Sequence, residues 1–200
     1  MLLSPLLAAV EGIEHGFGTR HSPRSQDAMA SLTQRHSNRV LAASRPGLQG
    51  EADALVTATQ GVAVSVRTAD CIPILLADRR TGAVAAVHAG WRGTAARIAV
   101  ETLARMRGEF GTRPEDVVAA IGPGIGECCY EVGIEVARQF GESGPRLNLA
   151  AHNLRQLEAA GVRKIDVVSP CTFCDGRFFS YRREGERAGR MISFIRRVRA

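Results

Sequence analysis

The sequence predicts a mixed α/β fold, a mixed sheet with helices packed outside it, and three observations carry that prediction. Residues 62–87 hold three short apolar runs separated by polar breaks, the pattern of strands buried on both faces. Downstream, apolar residues recur at steps of three and four, the mark of helices that bury one side. Strands and helices then alternate irregularly, with hairpin-like pairs, which favours a mixed sheet over a regular parallel wind. The chain shows no repeat, low-complexity stretch or linker long enough to separate a second core from the first, so residues 1–200 read as one domain.

Taken in order, the strands read as 62–66 and 72–77, then a turn at Asp78, Arg79, Arg80, Thr81 and Gly82, then a strand at 83–87. Thr94 is placed to cap a helix whose inward positions are Ala95, Ile98, Thr102, Leu103, Met106 and Phe110, ending at Gly111 ahead of Pro114. Residues 117–121 form a short strand that runs into Gly122, Pro123, Gly124, Ile125 and Gly126, where glycine lets backbone amides come close to a neighbour. Helices follow at 134–140 and at 149–160, a strand at 165–168, and extended segments at 177–181 and 191–198, the last ambiguous with helix.

Composition narrows the function classes. The chain has 200 residues, 45% of them hydrophobic and 23% charged, enough for a sizeable core. Its longest apolar runs fall far short of the roughly 20 residues of a membrane helix, and residues 1–10 lack a basic start and a cleavage site, so the expected location is the cytoplasm, without a membrane. The net charge of +6 comes almost wholly from Arg, since Lys164 is the sole lysine. Arg is the better bidentate holder of phosphate. Without a dense basic tract, and with aromatics at 5%, nucleic acid binding is disfavoured. The five cysteines, Cys71, Cys128, Cys129, Cys171 and Cys174, are an odd number and argue against a disulfide framework. Cys171 and Cys174 form a Cys-x-x-Cys that Cys128 and Cys129 could complete for zinc, but adjacent cysteines chelate one tetrahedral ion poorly, so buried packing is the expectation for these four.

Three polar residues interrupt otherwise regular segments: His36 in Gln-Arg-His-Ser-Asn-Arg-Val, Cys71 after Thr-Ala-Asp, and His88 in Val-His-Ala-Gly-Trp-Arg-Gly. Two imidazoles and a thiolate suit zinc with one coordination position left open. Their spacing matches no local metal motif, and a Cys between buried strands is ordinarily core. Both readings stand on the residues alone.

The stretches just named, with Ala-Asp-Ala-Leu-Val-Thr at 52–57, Ile-Gly-Pro-Gly-Ile-Gly-Glu-Cys-Cys-Tyr-Glu-Val at 121–132 and Cys-Thr-Phe-Cys-Asp-Gly-Arg-Phe-Phe-Ser-Tyr-Arg at 171–182, closely resemble the YfiH family. That family was first labelled laccase-domain or multicopper polyphenol oxidase, and its members are regarded as purine nucleoside phosphorylases. The resemblance runs in order from Gly16 to the C-terminus. It implies a layered α/β sandwich of mixed sheets flanked by helices, and a metal triad of His36, Cys71 and His88 that takes zinc, with copper also possible. It further implies phosphorolysis of adenosine, inosine, guanosine and methylthioadenosine, with adenosine deamination beside it. The partners implied are purine nucleosides and phosphate, with a homodimer possible.

Within that resemblance Arg20, Arg92 and Arg182 are the candidate phosphate holders, and Asp70 is the carboxylate beside Cys71, read either as orienting a ligand or as satisfying backbone amides at a strand turn. The chain departs from the family pattern at Ser22 and Pro23, where glycines are usual, and at Asn148, where a carboxylate is usual. It is also short between Arg24 and Gln34, where the family carries a longer segment with Asn-Leu-Gly and Gly-Asp-Asp patterns. The expectation is a more open site, or one completed by another subunit.

Five histidines, without a His-Cys-His stretch, cannot furnish the trinuclear and blue-copper set of a multicopper oxidase. A copper-binding, laccase-like oxidoreductase at the single triad is the remaining form of that reading. A metal-free cysteine hydrolase would use Cys71 as nucleophile and His88 as base. A binding role is the last alternative.

Overall fold

The computed structural model describes residues 1–22, 28–168 and 170–198. Pro23 and residues 24–27 of the shortened segment lie outside the described residues. Strands β1 (Ile13–Phe17), β2 (Met29–Thr33), β3 (Val40–Ala42), β4 (Gly47–Glu51), β5 (Ala54–Thr57), β6 (Ala63–Thr68), β7 (Ile72–Asp78), β8 (Val84–Ala89), β9 (Val117–Ile121), β10 (Lys164–Val167) and β11 (Met191–Arg197) build two sheets, accompanied by helices α1 (Pro5–Ala8), α2 (Trp91–Ala95), α3 (Ile98–Phe110), α4 (Ile134–Gln139), α5 (Leu149–Ala159) and α6 (Tyr181–Glu184). Their orders are β1-β11-β6-β2-β4 and β10-β9-β7-β8-β5-β3. Both are mixed: β6 pairs parallel with β2 and antiparallel with β11, and β9 pairs parallel with β10 and antiparallel with β7.

Side-chain alternation along β7 and β8 sets the layers. Leu75, Ala77, Val84 and Ala86 point into a core shared with Phe17, Val64, Val66 and Ile195 of the other sheet. Ile72, Ile74, Leu76, Ala85, Val87 and Ala89 point the opposite way, against helices α3 (Ile98–Phe110) and α5 (Leu149–Ala159) through Ile98, Leu103, Met106, Leu149 and Leu157. Strands covered on both faces leave no face for polar alternation, which is why this stretch reads as unbroken apolar runs. The β7–β8 hairpin turns at the expected residues: Asp78 Oδ1 accepts from the amides of Arg80 and Thr81 at 2.8 and 3.1 Å, and Gly82 takes a φ of 72°.

The expected strands at 62–66, 72–77, 83–87, 117–121 and 165–168 and the helices at 134–140 and 149–160 match observed elements to within a residue or two. The ambiguous 191–198 segment is strand β11. Two expectations are corrected. Thr94 does not cap the long helix: it lies buried in a short helix, α2 (Trp91–Ala95), where its hydroxyl accepts from Asn153 Nδ2 at 3.0 Å. The helix restarts at Ile98 because Arg97 adopts a left-handed φ of 60°. Residues 177–181 form no strand, although Ser180 itself is extended: Phe178 and Phe179 are buried against Met191, and Ser180 Oγ caps the single turn α6 (Tyr181–Glu184) through the Arg183 amide.

Among the described residues no helix is long and apolar enough to cross a membrane.

Candidate active site

Antiparallel pairing of β7 and β8 puts the start of one strand beside the end of the other, with Ile72 opposite Ala89 and Pro73 opposite His88. Cys71, one residue ahead of β7 where the chain crosses between sheets, therefore faces His88. His36 comes from the loop between β2 and β3, in a left-handed conformation with φ of 59°. Such a backbone costs a non-glycine residue free energy and persists only when its surroundings fix it. Here the fixing group is Asp53, a fully buried carboxylate. Its Oδ1 accepts from the His36 amide at 2.9 Å, and its Oδ2 accepts from the Ser37 amide at 2.6 Å and hydroxyl at 2.7 Å and from the Arg35 amide at 3.2 Å.

Asp53 also reaches His88, whose Nδ1 donates to Oδ1 at 2.8 Å. That bond fixes the ring and leaves Nε2 for another partner. One donor atom from each of His36, Cys71 and His88 lies within 4.8 Å of the others. The two imidazoles meet edge to face with ring centroids 4.8 Å apart. Gly90 makes room for this approach, since a Cβ there would stand 3.0 Å from both Cys71 Sγ and His36 Cδ2.

The group polarises itself. Burial would push the Cys71 thiol up, but the neighbouring His88 and His36 bring it down to about 6. Burial would push His88 down, but the Cys71 thiolate and Asp53 raise it to about 9. Desolvation opposes charge on Asp53, yet hydrogen bonds from His88 and Ser37 hold its carboxyl well below the usual carboxylate range. The donor set suits zinc or copper: a thiolate and two imidazoles, one of them oriented by a carboxylate, with their donor atoms all within 4.8 Å of one another.

The triad forms one wall of a cavity of about 810 Å³. Its other lining includes Gln34, Arg67, Asp70, Ile125, Tyr130, Tyr181, Arg182 and Arg190. No carboxylate forms an ion pair with Arg67, Arg182 or Arg190 among the described residues. The Arg182 guanidinium lies 5.5 Å from the Tyr130 ring centroid and donates to the Glu131 carbonyl at 2.9 Å. Burial and the nearby Cys71 charge raise the Tyr130 hydroxyl to about 12, so it stays protonated.

The structure brings His36, Cys71, His88, Asp70 and Arg182 to this cavity, whereas Arg20 and Arg92 are not among its lining residues. Arg20 instead donates to Glu184 at 2.5 Å and stacks 4.5 Å from the Phe179 centroid. Arg92 stacks 4.3 Å from the Trp91 ring centroid. Both oxygens of Asp70 are engaged, Oδ1 by the Thr172 hydroxyl at 2.6 Å and Oδ2 by the Arg182 amide at 2.8 Å. Its carboxylate thus ties the 171–182 segment to the strand crossing.

Sequence reasoning passes over Asp53, Arg67 and Arg190. For Asp53 the available signal is a lone Asp amid Ala-Asp-Ala-Leu-Val-Thr on a buried strand edge. Arg67 is the one charged residue in an apolar strand. Arg190 carries no signal. The four remaining cysteines are not buried packing either: Cys128 and Cys174 are exposed, and all four sulfurs gather within 4.8 Å of one another.

A family model described as multi-copper polyphenol oxidoreductase laccase matches residues 17–198. A purine nucleoside phosphorylase of Deinococcus radiodurans is 44% identical over 180 residues, covering 84% of this chain and 70% of that protein. Adenosine deaminase RL5, from an unknown prokaryotic organism, is 40% identical over 163 residues, covering 72% of this chain and 62% of its own length. The crystal structure of the hypothetical protein YfiH of Bacillus licheniformis superposes with a TM-score of 0.87 at 26% identity, covering 96% of this chain and 95% of that one.

Proposed function

The chain belongs to the YfiH family, whose model bears the multi-copper polyphenol oxidoreductase laccase description, and from that premise we propose that it is a purine nucleoside phosphorylase with adenosine deamination as a second activity of the same site. The observation that carries this reading is the pairing, in one cavity, of a His-Cys-His donor group with three arginines that form no ion pair with a carboxylate among the described residues. Phosphorolysis breaks the bond between the sugar's anomeric carbon and the purine nitrogen and joins that carbon to a phosphate oxygen. It therefore needs cations for the phosphate and a means of accepting charge on the departing base.

Arg67, Arg182 and Arg190 are the residues assigned to phosphate. Ile125, Tyr130 and Tyr181 offer the apolar and aromatic faces against which a purine packs. His36, Cys71 and His88 would hold zinc or copper, and Asp53 keeps the His88 ring in the tautomer that presents Nε2. When bound, the metal supplies Lewis acidity for polarising the base or activating a nucleophile. The unpaired thiols of both cysteine groups suit a reducing compartment, so we place the protein in the cytoplasm. As for the laccase description, His15 accepts from the Ser4 amide, His152 pairs with Glu142 and His21 is exposed outside any candidate metal group, so His36 and His88 are the imidazoles that join one metal group among the described residues. A multicopper cluster needs more.

The test is incubation with adenosine, with and without phosphate, resolving adenine from inosine. Adenine that appears only with phosphate is the expected result, and its absence at any phosphate concentration would overturn the assignment.

A specific geometry favours one further reading. Cys71, His88 and Asp53 also stand in the order nucleophile, base and orienting carboxylate of a cysteine hydrolase. Full activity after exhaustive chelation would favour it over the metal-dependent route.

A further inference from the structure

A second sulfur-rich group lies outside the cavity. Cys128 and Cys129 belong to the turn that follows the glycine-rich 122–126 loop, and Cys171 and Cys174 to the loop after β10. Each sulfur lies within 4.8 Å of the other three, with Cys129 Sγ 3.3 Å and Cys128 Sγ 3.8 Å from Cys174 Sγ. In a tetrahedral zinc–thiolate site with bonds of about 2.3 Å, sulfurs stand about 3.8 Å apart. A disulfide needs about 2.05 Å and would join only two of the four.

The surrounding backbone is shaped for this gathering. The two loops are joined by a parallel bridge between Gly124 and Cys171, and the Thr172 amide donates to the Gly124 carbonyl at 2.9 Å. The Gly126 amide donates to Cys171 Sγ at 3.2 Å, the kind of bond that stabilises a metal-bound thiolate. A Cβ on Gly126 would stand 3.2 Å from Cys171 Cβ and 3.3 Å from Cys128 Sγ, so glycine is what lets the loops close. Adjacency of Cys128 and Cys129 does not prevent convergence, because the turn, with the Cys129 amide donating to the Gly126 carbonyl at 3.0 Å, aims both sulfurs toward Cys174.

We infer that Cys128, Cys129, Cys171 and Cys174 form a structural metal site for a thiophilic divalent cation, zinc by preference, distinct from the His36–Cys71–His88 group. Four thiolates with no open position make a closed site, which braces rather than reacts. What it braces is the cavity: Ile125 and Tyr130 flank Cys128 and Cys129 in the chain, and Thr172, beside Cys171, holds Asp70 and through it the Arg182 amide. The inference does not depend on the proposed activity.

Metal content and cobalt spectroscopy on the full chain, purified under reductant, test it. By elemental mass spectrometry the wild type is expected to carry about two zinc ions per chain and Cys71→Ala about one. Cobalt(II) loaded into Cys71→Ala should give the intense visible bands and sulfur-to-metal charge transfer of a tetrahedral thiolate site, and Cys171→Ser/Cys174→Ser should abolish them. Because Cys71→Ala leaves the four cysteines intact, its spectrum decides the matter even if the double variant fails to fold. Cobalt without thiolate bands in Cys71→Ala overturns the inference. So does an intact mass short by two hydrogens, meaning that a disulfide occupies the sulfurs.

Discussion

The Asp53 carboxylate grips His88 Nδ1 at 2.8 Å while holding the His36 amide at 2.9 Å, so one buried side chain positions both imidazoles of the candidate metal group. The two rings come from separate segments, a loop and a strand end, and this carboxylate is the anchor they share.

Asp53→Asn is therefore expected to weaken zinc binding on the order of 10- to 100-fold, the usual cost of losing the partner that orients a ligating histidine. The amide keeps the shape but not the charge that favours His88 Nδ1–H, and it can accept from the 35–37 amides with only one of its two ends. A zinc competition titration against a chromogenic chelator measures this. Affinity equal to wild type would mean that His36 and His88 hold their places without Asp53.

In metal-free protein the Cys71–His88 pair is expected to be a thiolate beside an imidazolium between about pH 6 and 9. The difference in thiolate ultraviolet absorbance between wild type and Cys71→Ala should rise with a midpoint near 6; a midpoint near the ordinary 9 would contradict the pairing. Cys71, depressed, contributes stability that is present at high pH and lost as pH falls through 6, whereas His88, raised, contributes stability present below 6.5 and lost as pH rises through 9. Native and unfolded chains each shed one proton near 6 to 6.5 and another near 9, so the two effects largely cancel. The melting temperature of metal-free protein should owe little pH dependence to this pair, even though its absorbance changes.

Gly90→Ala is expected to damage the metal group while sparing the fold. The φ of −76° at Gly90 suits any residue, so the backbone accepts the methyl, but the new Cβ would press on Cys71 Sγ and His36 Cδ2 at 3.0 Å. The measurements are zinc stoichiometry and the thermal midpoint. Lost or weakened zinc with a near-native midpoint fits this reading, and undiminished binding would show that the ring and the sulfur can yield.

Much of the frame behind these predictions is legible in the sequence, for a physical reason that also marks where legibility stops. Strands β7 and β8 are buried on both faces, so their composition is dictated residue by residue and their ends, at Cys71 and His88, can be located. Strands β1 to β5 leave no comparable trace: β3 and β4 carry no fully buried residue, and β5 spans only Ala54–Thr57. The triad itself enters through motif resemblance, since its spacing along the chain is not local. Arg20 and Arg92 sit in the right motifs but turn to Glu184 and Trp91, a choice made by tertiary neighbours. The cysteine quartet escapes a sequence reading because adjacency of Cys128 and Cys129 looks like an obstacle, whereas the turn at 126–129 removes it.

Arg67→Ala is expected to reduce kcat/KM for phosphate roughly 10- to 100-fold, as for loss of a hydrogen bond to a charged group, with a smaller effect on KM for the nucleoside. Arg20→Ala, whose guanidinium is taken by Glu184, should leave the phosphate dependence close to wild type. Initial rates at varied phosphate separate the two. The reverse pattern would return the phosphate site to the N-terminal Arg20 segment.

Thr172→Val probes the link between the strand crossing and the 171–182 segment. It removes the 2.6 Å hydrogen bond to Asp70 Oδ1 and leaves that buried oxygen without its partner, while the valine fills the same space. Loss of a hydrogen bond to a buried charge costs about 1.5–3 kcal/mol, which lowers the melting temperature of a chain of this size by roughly 3–12 °C. Asp70 Oδ2 still accepts from the Arg182 amide, so the same substitution loosens one anchor of Arg182 without touching its guanidinium. KM for phosphate should accordingly rise less than in Arg182→Ala. A melting temperature unchanged from wild type would show that water satisfies Asp70 once the hydroxyl is gone, and that the segment is held chiefly from the cysteine side.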